Sequence, residues 1–79
     1  MTVKELNEKY RGERVAIFSK RDNIWHSGLL NYIATNEFPS HGILAYFGRT
    51  PIYDIDTSKM FIYTDLLDYT QQLENFLKS

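Results

Sequence analysis

The chain is 79 residues long, carries a formal net charge of −1 and contains no cysteine. That length accommodates one hydrophobic core, hence a single domain over residues 1–79. Disulfides and thiolate zinc sites are excluded, and the charge balance argues against a role dominated by phosphate contacts. A domain of this size hides only about 60% of the surface its unfolded chain exposes. The twelve aromatic residues are therefore expected to carry much of the stability. The polar opening Met1-Thr2-Val3-Lys4-Glu5 lacks the apolar stretch of a secretory signal, and no apolar run approaches the roughly 20 residues of a membrane span. A soluble, cytoplasmic protein with no membrane contact is the expectation.

Thr2-Val3-Lys4-Glu5 matches a capping box, and Val3, Leu6 and Tyr10 follow at helical spacing. Gly12 is placed to stop the helix, so a short helix is predicted over Val3–Arg11. The period then changes. Arg14–Ser19 is β-branched and aromatic and reads as a strand, with Lys20-Arg21-Asp22-Asn23 as a polar turn. Ile24–Ala34 follows as a longer strand, with Trp25, Leu29 and Ile33 on one face and Leu30 and Tyr32 on the other. Gly28 interrupts it, marking a bend, a bulge or a close backbone approach.

Thr35–Gly42 is a loop by composition. Ile43–Phe47 is an apolar strand ended by Gly48-Arg49-Thr50-Pro51. Ile52–Asp56 alternates as a half-exposed strand, Asp56-Thr57-Ser58-Lys59 reads as a tight turn, and Met60–Tyr63 as the last strand. Leu66, Leu67, Tyr69, Leu73, Phe76 and Leu77 then form a wide apolar stripe on a C-terminal helix capped by Thr64 or Asp65. The fold class is α+β. A short N-terminal helix precedes a strongly curved five-stranded antiparallel sheet or small SH3-like barrel, and an amphipathic helix closes the chain.

Gly12 and Val15, followed by Gly28-Leu29-Leu30-Asn31-Tyr32-Ile33, give the chain a pattern that resembles the Sm-like members of the SH3-like small barrels. In that family a Gly-x-Leu pattern lets the second strand bend. The resemblance spans residues 3–63, and it implies ring assembly and RNA binding. Gly48-Arg49 stands in the reverse order of the family's arginine-glycine pair, the C-terminal helix is additional, and no binding residue is carried over.

Chemistry-bearing clusters are sparse. His26 and His41 lack the spacing of metal ligands, so no metal site is expected. Asp54 and Asp56, placed on one face of a strand, could hold a cation, but more simply keep an edge strand soluble. No serine sits in a nucleophile motif and there is no Gly-rich phosphate loop. Catalysis and cofactors are not expected.

The expected function is that of a non-enzymatic module acting through contact with a protein partner, homo-oligomers included. Its surface is assigned to Trp25 on the first hairpin, Phe38 in the loop, and Tyr46, Arg49 and Tyr53 on the next hairpin, since aromatics and arginine favour interfaces. The alternative is nucleic-acid or nucleotide binding, with Lys20, Arg21 and Arg49 on phosphate and Trp25 stacked on a base. Against both readings, Trp25 could simply be core.

Overall fold

Thr2 and Glu5 close a capping box at the start of the first helix, α1 (Val3–Tyr10), in the computed structural model, which describes residues 2–35 and 42–78. The Glu5 amide donates to the Thr2 hydroxyl and the Thr2 amide to the Glu5 carboxylate, both at 3.2 Å. Donation to the Glu5 carboxylate from the Thr2 amide, and next from the Thr2 hydroxyl at 3.1 Å, holds that carboxyl below its ordinary value. The helix ends one residue before the predicted limit, with Arg11 as an extended C-cap and Gly12 following at φ +82°.

Five antiparallel strands follow: β1 (Arg14–Ser19), β2 (Ile24–Thr35), β3 (Ile43–Phe47), β4 (Thr50–Ile52) and β5 (Ile55–Ile62), before the last helix, α2 (Leu66–Lys78). Their order in the sheet is β4-β3-β2-β1-β5. This is the α+β arrangement the residue pattern predicts. The long β2 joins the halves, pairing with β1 over residues 24–29 and with β3 over residues 30–35. Although not neighbours in the sheet, β3 and β5 also come into contact, as a curved sheet requires.

Asn31 changes which side chains of β2 face the core. Leu30 pairs with Phe47 and Tyr32 with Tyr46, leaving Asn31 as an extra residue on the β2 side. Such a bulge shifts the two-residue alternation by one. Leu30 and Ile33 are therefore both buried, whereas Leu29 is 63% exposed. The predicted grouping, Trp25, Leu29 and Ile33 on one face against Leu30 and Tyr32 on the other, is corrected accordingly: Leu30 joins Ile33 inside, and Leu29 and Tyr32 are exposed. Gly28, just upstream, has φ +154°, and a Cβ there would sit 3.5 Å from the Phe47 ring.

Beyond Leu29, no strand of the described residues lies on the β1 side of β2, and the link after α1 takes over. Gly12 donates to the Leu30 carbonyl and the Leu30 amide donates to the Glu13 carbonyl. Asn7 then treats Ile33 as a strand would, its Oδ1 accepting from the Ile33 amide at 2.7 Å and its Nδ2 donating to the Ile33 carbonyl at 2.8 Å. One amide side chain thus satisfies both backbone groups of a buried residue.

The last two strands divide differently from the prediction. Ile52 ends β4, Tyr53 and Asp54 form a corner with Asp54 at φ +51°, and β5 starts at Ile55. Asp54 and Asp56 therefore do not share a strand face. The segment 56–59 is an excursion within β5, not a turn between strands. Ile17 pairs with Met60 and Phe18 with Asp56, so residues 57–59 loop out while β1 stays the partner on both sides. The Asp56 carboxylate folds the excursion, accepting from the Ser58 amide at 3.0 Å and the Ser58 hydroxyl at 2.6 Å.

The two faces of the β1–β2–β5 region carry different side chains. Val15, Ile17, Leu30, Ile33, Ala45, Ile52, Ile55 and Met60 pack with Leu6 and Tyr10 of α1 in an aliphatic core. On the other face, Trp25 and Phe61 meet Phe76 of α2, and Phe18 packs on Trp25. Trp25 lies 5.7 Å from the Phe18 ring, 5.6 Å from Phe61 and 5.4 Å from Phe76. Asp65 caps α2 by accepting from the Asp68 amide at 2.8 Å. No residue of α2 is buried. No helix of the described residues is long and apolar enough to cross a membrane.

Candidate functional site

Ser19 anchors the first hairpin to the β4–β5 corner. It is fully buried, and its hydroxyl donates to the Tyr53 carbonyl at 2.8 Å. The Lys20 amide donates to the Asp54 carbonyl at 2.9 Å, and the Lys20 ammonium stands 3.6 Å from Asp54 Oδ1. The Arg21 guanidinium lies over the Tyr53 ring, 5.0 Å from its centre. Three of the assigned residues, Lys20, Arg21 and Tyr53, thus come together. Their charges are engaged with the chain's own acid and ring. The Lys20–Asp54 pair is substantially exposed, and such pairs contribute little stability.

Trp25 is separated from that cluster. It is half-buried beneath α2, where the ring contacts above hold it. Tyr46 stacks on Tyr32, with ring centres 4.6 Å apart and planes 17° from parallel. Arg49 is exposed in the turn between β3 and β4, at the opposite end of β4 from Tyr53. Phe38 lies outside the described residues, as does His41. The six assigned residues that are described stand in three places: three meet at the hairpin and corner, Trp25 is under α2, and Tyr46 and Arg49 belong to the β2–β3 side.

That second side holds residues which the pattern did not single out. Leu29 before the bulge and Tyr32 after it are both exposed, and Tyr32 meets Tyr46. Beside them a cleft of about 440 Å³ is lined by Arg11, Gly12, Leu29, Leu30, Asn31 and Gly48. The Asn31 amide spans its edge by donating to the Gly48 carbonyl at 3.3 Å. Its lining is mostly apolar, and Arg11 is the one charged residue in it. Polar Asn31 within an otherwise apolar run was the available signal for it.

His26 Nε2 is buried and lies 3.4 Å from Asp22 Oδ2, a charge-pair distance without hydrogen-bond alignment. Among the described residues, no three His, Cys, Asp or Glu side chains gather in metal-holding geometry. Comparisons of the chain with protein-family models, curated proteins and solved structures find no match.

Proposed function

We propose that this chain is a non-enzymatic binding module that acts through protein–protein contact, with a surface on the outer side of β2 and β3. The carrying observation is that Leu29 and Tyr32 are exposed on either side of the bulge, with half-buried Tyr46 of β3 stacked on Tyr32, beside the cleft at Arg11. A domain with so little core has reason to bury large side chains. Leaving these outward favours a partner that covers them. Arg49, in the following turn, supplies a polar margin to the same side.

Kinship with the Sm-like small barrels and a cytoplasmic site of action belong to this reading. The first is supported by the helix-then-five-strands order and the glycine in β2, the second by the absence of cysteine. The nucleic-acid alternative draws on Lys20, Arg21, Trp25 and Arg49, which stand in three separate places.

The test is affinity capture from the protein's own cells, with Leu29→Asp and Tyr46→Ala variants run in parallel. A protein partner retained in moderate salt, and lost with either variant, is the expected outcome. A bound nucleic acid that dissociates steeply as salt rises would favour the alternative. Partners indifferent to both variants would defeat the assigned surface.

A further inference from the structure

Of the four arginines, Arg14 donates to the Thr64 carbonyl at 3.4 Å and Arg21 lies over the Tyr53 ring. The side chains of Arg11 and Arg49 make no hydrogen bond, ion pair or ring contact among the described residues. Both stand at the cleft lined by Leu29, Leu30 and Asn31 of β2. Arg11 lines it, and Arg49 follows Gly48, which lines it from the turn between β3 and β4. The volume of about 440 Å³ falls within the roughly 300–1,000 Å³ of ligand clefts. No acid is among the lining residues to offset the Arg11 charge. Gly12 and Gly48 contribute backbone alone, and a Cβ on either would meet no atom within 4 Å.

We propose that this cleft receives a segment of a partner protein in which a carboxylate stands beside apolar side chains, the carboxylate pairing with Arg11. This rests on the protein-contact reading and adds the chemistry of the partner's contact point. A partner that covers the exposed Leu29 also takes Arg11 out of water. A cation buried without an opposite charge is strongly unfavourable, so the covering surface must bring an acid. The planar guanidinium matches a carboxylate with two parallel hydrogen bonds. A phosphate would meet the charge as well, but nucleic-acid contacts are polar and leave the two leucines without apolar partners. Arg49, one residue beyond the lining, adds positive charge on the same side and favours the approach of an acid.

Amide chemical shifts of the whole isotope-labelled chain, titrated separately with hexanoate, 1-hexanol, hexylammonium and inorganic phosphate, test this. Hexanoate should shift the Gly12, Asn31 and Gly48 amides and saturate. Hexanol should bind there on the order of 10-fold more weakly, for want of the charged hydrogen bond. Hexylammonium and phosphate should leave those amides unmoved at the same concentrations. Arg11→Gln, at an exposed position, should bring hexanoate down to the level of hexanol, and Arg11→Glu should transfer the preference to hexylammonium. No saturable shift, equal binding of hexanoate and hexanol, phosphate acting as strongly as hexanoate, or indifference to Arg11→Gln would each overturn the proposal. In affinity capture, loss of the partner with Arg11→Gln, as with Leu29→Asp, is the expected result. A partner lost with Leu29→Asp but retained with Arg11→Gln would defeat the carboxylate contact alone. A partner indifferent to Leu29→Asp and Tyr46→Ala would instead defeat the outer surface, a result the hexanoate shifts do not share.

Discussion

Asn7 shows how much one side chain can carry in a small fold. Replacing it with alanine leaves the Ile33 amide and carbonyl unpaired, which should destabilise the protein by about 2–6 kcal/mol at 1–3 per stranded group. Urea denaturation followed by far-ultraviolet dichroism measures this. A loss under about 0.5 kcal/mol would mean that water replaces the side chain. Gly42 makes a different demand, because it has φ +61° and a Cβ there would fall 2.6 Å from Asp54 Oδ1 and 3.4 Å from Asp54 Cα. Gly42→Ala should destabilise by about 1–3 kcal/mol in the same assay. Asp56 sets a pH response. The Ser58 hydroxyl first, then the Ser58 amide, hold its carboxyl below the ordinary value of 3.8. A carboxyl lowered on folding adds stability above its unfolded pKa and loses it as pH falls through the folded value. Unfolding free energy should therefore decline below about pH 4, and Asp56→Asn should make that decline shallower. Asp68, lowered chiefly by the Thr64 amide, and Glu5 act in the same direction, so some slope should persist in the variant.

Among the elements, α2 is the one with no buried residue. Its grip on the sheet is a set of rings, Tyr69 and Phe76 against Trp25 and Phe61, each such pair contributing about 0.5–1.5 kcal/mol beyond its buried area. Gln72 adds a bond to the Ile62 carbonyl at 2.8 Å. Phe76→Ala should loosen α2 while leaving the sheet folded. The measurable signs are a red shift of Trp25 emission, a loss of helical dichroism and little movement of the main unfolding transition. Cooperative unfolding of the whole chain at a much lower midpoint would show instead that α2 is integral to the core. The excursion at residues 57–59 makes the opposite point, since β5 keeps one partner across an interruption because β1 pairs on both sides.

For the whole molecule, two layers on opposite faces of one sheet imply two levels of stability. The aliphatic layer under α1 contains all the described residues below 2% exposure except Ser19 and Ala16, which lie in β1 itself. Amide exchange should therefore be slowest in β1 and the adjoining half of β2, and fastest among the helices in α2, through local opening. Uniform protection across both would contradict that division. The element types, the capping box at Thr2, the stop at Gly12 and the α+β class were legible because each depends on local period and local hydrogen bonds. Asn7, standing between Leu6 and Tyr10 near the apolar face of α1, was a readable irregularity whose meaning depended on an unpaired stretch of β2 far along the chain. What the tertiary structure alone decided was facing and grouping. A single extra residue at Asn31 reverses the alternation that a linear reading must extrapolate, so Leu29 turns out and Leu30 and Ile33 turn in together. Trp25 is a core-type residue in the second layer because α2 returns across the sheet to meet it. The division between Ile52 and Ile55 follows from pairing with β1, a partner that no local window contains. Periodicity fixes what each segment becomes, and contacts between distant segments fix which way its side chains face.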